Sequence, residues 1–413
     1  MRLQNHLFDG WRKVCRGFGY EEYEGPTFEH LELYVGKSGE EIVGQLYHFK
    51  DKGDRDLALR PELTPTLARM VNAKGPALRK PLKWFSIPRL FRYERAQRGR
   101  LREFFQLNMD IIGCDTVAAE ADLIAAAVDL LRGFGLTSAD FAVRVSSRRL
   151  LSEFLNRLGI PEAGKAGVYA ALDKRAKVGE AEFRRLLSEQ SVGEAEAALL
   201  ESFFQCRSLP DLTALFTGPS EGEASALCEL EDLFGLLTAL GYADAVRIDT
   251  SVVRGLAYYT GIVFEVFDQG IGLRALAGGG RYDSLLSNLG GEALSAVGFG
   301  MGDVVLADLL NEKGLLPQGR PGVDYYLADL GVSEAKGGLP RLELLALASR
   351  LRTRGLSVSY SLKAGKFKKQ LEEANDGGAR RVLFFGSDRA PAGAYEVKDL
   401  ATGDQSVLGE NEL

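Results

Sequence analysis

The sequence predicts an α+β chain: a domain built on an antiparallel sheet, carrying a helical insertion and followed by a C-terminal α/β domain. Three observations carry this. Residues 103–113 alternate apolar and polar over a full strand length. Residues from 150 to about 240 are dense in Glu, Ala, Leu and Arg at helical spacing, with few β-branched residues. Beyond Pro317-Gln-Gly-Arg-Pro-Gly322, short strand and helix patterns alternate.

The 413 residues hold 51 Lys and Arg against 57 Asp and Glu, a net charge of −6. An acidic chain is not a non-specific nucleic-acid coat, so nucleic acid must be met by local basic patches. Two are present. Arg89, Arg92, Arg95, Arg98, Arg100 and Arg102 surround one acid, Glu94; Lys363, Lys366, Lys368 and Lys369 have none among them. Cys15, Cys114, Cys206 and Cys228 form no Cys-x-x-Cys pair, which argues against a zinc ribbon, a redox motif or a disulfide framework. With only His6, His30 and His48 besides, no protein-ligated metal is expected. The N-terminus lacks the apolar stretch of a signal peptide, and no run of about 18 apolar residues appears. A cytoplasmic protein with no membrane partner is expected.

The elements follow in order. Phe8, Trp11, Cys15 and Phe18 recur at spacings of three and four, a helix ended near Gly19. A short loop is expected at Gly36-Lys-Ser-Gly39. Residues 82–93 are strand-like, a basic loop spans Glu94 to Arg102, and a long strand follows. In that strand Phe105, Leu107, Met109 and Ile111 share one face; Gln106, Asn108 and Asp110 share the other. Three polar groups in line suggest a sheet with one wet, ligand-bearing face, in a sheet of six or seven antiparallel strands. Residues 116–134 predict a helix, and strand signals return at 257–267. Gly278-Gly-Gly-Arg-Tyr-Asp283 reads as a glycine-rich turn, and Val297-Gly-Phe-Gly-Met-Gly302 leads into a helix at Asp303 to Leu310. These patterns place a first domain at 1–318, an insertion at about 155–240, and a second domain at 323–413.

Four motifs carry chemistry. The arginine-rich stretch is either a solvated hairpin loop or an anion site, since the guanidinium fork suits phosphate and carboxylate oxygens. Leu59-Arg-Pro-Glu-Leu-Thr64 puts a carboxylate and a hydroxyl two residues apart, on one face if extended; the other reading is a turn with a helix start at Thr64-Pro65. The glycine triplet at 278–280 permits close backbone approach to a ligand, but it is neither a P-loop nor a dinucleotide-binding turn. Arg254-Gly-Leu-Ala-Tyr-Tyr259 sends an arginine into an apolar strand, which is costly unless the charge is paired, exposed or faces a pocket.

Taken together these pieces resemble the histidyl-tRNA synthetase family of class II aminoacyl-tRNA synthetases, over nearly the whole chain. Phe18-Gly-Tyr-Glu with Gly25-Pro-Thr-Phe-Glu29 is similar to the first class motif, and Leu59-Arg-Pro-Glu-Leu-Thr64 to the family's Leu-Arg-Pro-Glu-x-Thr. Phe91-Arg-Tyr-Glu-Arg-Ala-Gln-Arg-Gly-Arg-Leu-Arg-Glu-Phe-Phe-Gln106 resembles motif 2. Arg254 to Tyr259 and Gly279-Gly-Arg-Tyr-Asp283 resemble the two histidine-specific segments, and 386–405 the end of the anticodon-binding domain. Arg60-Pro-Glu-Leu-Thr-Pro and Asn108-Met-Asp-Ile-Ile-Gly are closest to plant-organelle-type members.

The resemblance implies a homodimer, with residues 18–29 at its interface, that activates L-histidine with ATP and Mg²⁺ and transfers it to the 3′ end of tRNA(His). It implies that Glu62 and Thr64 hold the histidine amino group, with Gln106 and Asp110 beside them. Tyr258, Tyr259 and Tyr282 would shape the imidazole pocket. Arg92 would contact the α-phosphate, Glu94 the adenine and Arg100 the far phosphates, while Arg254 would stabilise charge at the α-phosphate. Arg92 and Arg254 are thus the catalytic candidates. Arg95 and Gln97 would face the acceptor end of tRNA; Lys366, Lys368 and Lys369 would meet tRNA from the second domain.

The sequence also departs from the family pattern. Ala257 replaces a carboxylate, Asp110 stands where many members have Glu, and Val305 stands where motif 3 has an ATP-gripping arginine. The family's N-terminal strand with Gly-x-Arg-Asp-x-x-Pro is not found. The arginines of 89–102, with Arg254 and Arg281, are expected to supply the charge for a triphosphate. The alternative reading is the non-catalytic regulatory subunit of ATP phosphoribosyltransferase, which shares this fold and generally lacks the C-terminal domain.

Overall fold

Leu7, Trp11 and Cys15 recur every fourth residue and form the fully buried stripe of a helix, Arg2–Gly17. Its apolar side meets the long strand: the Phe8 and Phe105 rings lie 4.9 Å apart, and the Cys15 thiol lies 3.6 Å from Met109 sulfur. The computed structural model describes residues 1–35, 44–95, 97–175, 178–190, 192–252, 258–317, 322–331, 339–363 and 365–413. The chain divides into two units, Met1–Leu316 and Pro317–Leu413.

Among the described residues the first unit holds twelve strands: β1 (Glu21–Glu22), β2 (Phe28–His30), β3 (His48–Lys50), β4 (Asp56–Leu59), β5 (Leu82–Ser86), β6 (Arg89–Phe91), β7 (Glu103–Ile112), β8 (Phe141–Ser147), β9 (Val246–Ile248), β10 (Ile262–Asp268), β11 (Ala277–Arg281) and β12 (Ala296–Gly302). The main sheet has nine strands in the order β1-β5-β7-β12-β11-β10-β8-β9, with β6 paired to β7. The expected six or seven antiparallel strands undercount it. The interior is antiparallel, but β1 runs parallel to β5 and β8 parallel to β9. Both outermost strands are too short to show an alternating pattern. A separate small antiparallel sheet has the order β2-β4-β3.

Gly278–Gly280 corrects the sequence reading. These glycines form strand β11 in the middle of the sheet, fully buried, and not a turn. A Cβ on Gly279 would lie 2.1 Å from the Gly298 carbonyl oxygen, so packing against β12 excludes side chains that strand propensity would favour.

Helices between β8 and β9 run from Arg148–Arg157 to Glu221–Ala239. Phe154 stacks on Phe203 with ring centres 5.2 Å apart, giving this helical segment its own aromatic centre. A capping box of Ser220 and Glu223 starts its last helix.

The second unit holds β13 (Tyr325–Asp329), β14 (Val358–Tyr360), β15 (Arg381–Phe385), β16 (Ala394–Asp399) and β17 (Gln405–Gly409), ordered β14-β13-β15-β16-β17. β13 pairs in parallel with β14 and β15; the remaining pairs are antiparallel. Helices Leu342–Thr353 and Phe367–Asp376 supply the crossovers. Among the described residues no helix is long and apolar enough to cross a membrane.

Candidate active site

The two faces of β7 separate as the alternation predicts. Leu107, Met109 and Ile111 are buried in the main core. Gln106, Asn108 and Asp110 face the other way, but Asn108 and Asp110 are buried, so this face is covered and not openly wet. Glycines of β12 make the room. A Cβ on Gly298 would lie 1.9 Å from Asp110 Oδ1, and one on Gly300 would lie 2.7 Å from the Gln106 side-chain amide carbon.

Three tyrosines and two carboxylates close over the Asp110 end. The Tyr282 hydroxyl donates to Asp110 Oδ1 at 2.5 Å, and the Tyr258 hydroxyl donates to Glu62 Oε2 at 2.9 Å. The Tyr258 and Tyr282 rings meet edge to face at 5.9 Å, and Tyr259 lies 5.1 Å from Tyr258. Burial pushes the Asp110 carboxyl up to about 7, against the downward pull of the Tyr282 hydrogen bond. Burial, then the neighbouring carboxylate, holds the Tyr258 and Tyr282 phenols well above their ordinary range. Glu62 sits in a turn and Thr64 begins the helix Thr64–Lys74, so the turn-and-helix reading of that motif is the one realised. The Thr64 side chain acts on the Tyr258 phenol in the opposite sense, lowering it.

Beside this cluster opens a cavity of about 250 Å³. Arg92, Glu94 and Arg100 line it from the arm after β6, and Phe104 and Gln106 from β7. Glu265 of β10, Arg274, and the turn into the helix Asp303–Glu312 complete it. Gln106 and Asp110 are four residues apart on one strand face, about 13 Å at strand rise. The cavity and the tyrosine cluster therefore lie side by side along β7.

The arginines prove less available than their number suggested. Arg89 pairs with Glu103 at 2.7 Å and Arg98 with Glu312 at 2.6 Å. Arg102 Nε donates to the Glu94 carbonyl at 3.1 Å. Arg281, expected to meet a triphosphate, is buried in a two-pronged ion pair with Glu120, each contact 2.6 Å. It braces β11 against the helix Ala118–Arg132 and is removed from phosphate binding. Arg92 and Arg100 do reach the cavity. Arg92 is oriented by the Pro61 carbonyl at 2.8 Å, with its guanidinium 5.5 Å over the Phe104 ring. Arg100 pairs with Glu94 at 2.9 Å while its Nε is buried without a hydrogen-bond partner among the described residues. An orphaned donor in a cavity wall fits an anionic ligand.

Arg95 and Gln97 are exposed on the loop, as are Lys366, Lys368 and Lys369 at the start of the helix Phe367–Asp376. Arg254 and Ala257, the loop at 36–39 and linker residues 318–321 lie outside the described residues. Sequence reasoning missed Tyr23, Glu265 and Arg274. The Tyr23 hydroxyl is buried near Asp110 with no hydrogen-bond partner among the described residues. No local pattern marks it, because only strand pairing brings it there.

A family model described as histidyl-tRNA synthetase matches residues 2–303, and one described as an anticodon binding domain matches 341–413. The chain belongs to the histidyl-tRNA synthetase family. A histidine–tRNA ligase of Opitutus terrae is 43% identical, over 99% of this chain and 93% of the relative. The chloroplastic/mitochondrial histidine–tRNA ligase of Arabidopsis thaliana is 42% identical over 100% of this chain and 83% of the relative, which agrees with the plant-organelle wording of residues 60–65 and 108–113. The crystal structure of histidyl-tRNA synthetase from Nostoc sp. PCC 7120 superposes with a TM-score of 0.82 at 25% identity, covering 99% of this chain and 94% of that one. The family's large sheet, helical region and C-terminal α/β domain are those described above.

Proposed function

We propose that the polar face of β7 is where this histidine–tRNA ligase brings its two small substrates together. Histidine lies at the tyrosine end and ATP in the cavity. The observation that carries this is the placement of Gln106 in the cavity wall and Asp110 beneath Tyr282 on one strand face.

The enzyme is an aminoacyl-tRNA ligase, and its reaction needs no protein nucleophile. A histidine carboxylate oxygen bonds to the α-phosphorus of ATP, and pyrophosphate leaves. A ribose hydroxyl at the tRNA 3′ end then bonds to the carbonyl carbon, and AMP leaves. The protein's part is orientation and charge stabilisation. Glu62, Thr64 and Gln106 hold the amino-acid backbone, while Asp110 and the tyrosines enclose the imidazole. Rejection of other amino acids follows, because a side chain without matching polar atoms leaves buried groups unpaired. Arg92 meets the α-phosphate, Glu94 the adenine and Arg100 the outer phosphates. Arg100 leaves its Glu94 contact as the nucleotide enters. ATP enters as its Mg²⁺ complex, and Glu94 and Glu265 are the carboxylates within the cavity. Arg254 acts on the α-phosphate; this role rests on the family motif alone.

Arg95 and Gln97 face the acceptor end of tRNA(His). The second unit reads the anticodon, with Lys366, Lys368 and Lys369 on the backbone phosphates. The active form is a homodimer, supported by the exposed Phe28 and Phe49 rings, 6.5 Å apart on the small sheet. Sedimentation as a single chain at micromolar concentration would rule it out. The cytoplasm is the proposed location, in keeping with four free cysteines. Detection in an organelle would move it.

The decisive experiment is ATP–pyrophosphate exchange with Mg²⁺, run with each standard amino acid. Exchange with histidine alone is expected. Histidine binding without exchange would instead identify a non-catalytic regulatory subunit.

A further inference from the structure

Arg274 lies outside every motif recognised in the sequence, yet it enters the same cavity as Arg92 and Arg100. It stands just before β11. Beyond the last paired residues of β11 and β12, Ala277 with Met301, the two chains continue as Arg274–Leu276 and Gly302–Val305. The arginine and Val305 thus flank one point. A Cβ on Gly99 would lie 3.3 Å from Val305 Cγ2 and 3.8 Å from Arg274 Cδ.

The other cavity cations are already committed in part. Arg92 is held by the Pro61 carbonyl and Arg100 by Glu94. Arg274 makes no hydrogen bond or ion pair with another described residue, and it is exposed. An arginine at a cavity rim, with its guanidinium uncommitted, suits a multiply charged anion arriving from solvent. It also stands beside the position where motif 3 is expected to carry an arginine and this chain has Val305.

We propose that Arg274 binds the outer phosphates of ATP and supplies the cationic grip that Val305 cannot. This rests on the reading of the cavity as the ATP site. A phosphate held by Arg274 and Arg100 together is neutralised from both walls, which leaves Arg92 for the α-phosphate. Arg274 is a binding residue here and takes no part in bond making.

The test is calorimetric titration of Mg-ATP and of AMP into the full chain, its Arg274→Ala variant and its Arg274→Lys variant. Loss of a charge-assisted hydrogen bond should weaken Mg-ATP about 10- to 100-fold in Arg274→Ala. AMP affinity should change little, and Arg274→Lys should recover part of the loss. In exchange assays KM for ATP should rise while KM for histidine holds. Because Arg274 is exposed, melting temperature should not move. Unchanged Mg-ATP affinity in Arg274→Ala would overturn the proposal. Equal weakening of AMP and ATP would overturn the phosphate assignment and place the guanidinium on the adenosine. If the unaltered chain showed no histidine-dependent exchange, the assigned reaction would fall instead, and the ATP titrations would still decide Arg274.

Discussion

Asp110 fills the space that a side chain at Gly298 would need, with its Oδ1 only 1.9 Å from where a Cβ would stand. The two residues are directly paired across β7 and β12. The carboxylate can therefore occupy its buried position only because the neighbouring strand carries glycine there.

Gly298→Ala should displace Asp110 or part the strands. Overpacking of this kind costs about 1–3 kcal/mol, occasionally more. A lower melting temperature is expected, with histidine-dependent exchange nearly abolished. Wild-type exchange would show that Asp110 does not depend on this glycine.

Asp110 also fixes a pH dependence. Its folded value, about 7, lies above the ordinary value of 3.8, so the folded state holds the proton more tightly than the unfolded state. The stability it contributes is complete below the ordinary value and is lost as pH rises through about 7. Asp110→Asn should flatten the fall in melting temperature across that window. An unchanged slope would assign the titration elsewhere.

Glu120 is the nearer counter-charge of buried Arg281, which also pairs with Asp283 at 3.3 Å. Glu120→Ala leaves that guanidinium with the longer Asp283 contact and the Cys114 and Thr116 carbonyls, and removing the closer partner of a buried pair costs about 3–5 kcal/mol. Chemical denaturation should show a loss of that order. A loss below about 1 kcal/mol, the surface-pair range, would mean that water reaches Arg281.

Arg254→Ala should slow adenylate formation by about 100-fold or more, the scale of one preorganised donor. Histidine affinity, measured by calorimetry, should change much less. Near-normal turnover removes Arg254 from the mechanism.

A chain ending at Leu316 loses the exposed lysines of 366–369. It should still catalyse histidine-dependent exchange while charging tRNA poorly. Full aminoacylation would remove anticodon reading from the second unit.

Much of the site was legible because it follows from local pattern. The alternation from Phe105 to Ile111 separates core from site, and Glu62, Tyr258 and Tyr282 lie in recognisable motifs that the fold does bring together. What was not legible depends on neighbours distant in the chain. Gly278–Gly280 look like a turn until β12 presses on them. Arg281 looks like a phosphate ligand until Glu120 takes it. The six clustered arginines seemed to face a single acid, but Glu103 and Glu312 take two of them. Arg274 has no motif around it and gains meaning only from the wall it faces.

The position of β7 has a consequence for synthesis. Its partners are β5 and β6, close before it in the chain, and β12, which begins only at Ala296. A chain emerging from the ribosome in order presents β7 with one edge open until the whole helical segment, the four strands β8 to β11 and then β12 have followed. Unpaired strand edges recruit other chains. The nascent protein is therefore most exposed to misassembly during translation of residues 113–302, and chaperone capacity at that stage should govern yield more than the stability of the finished fold.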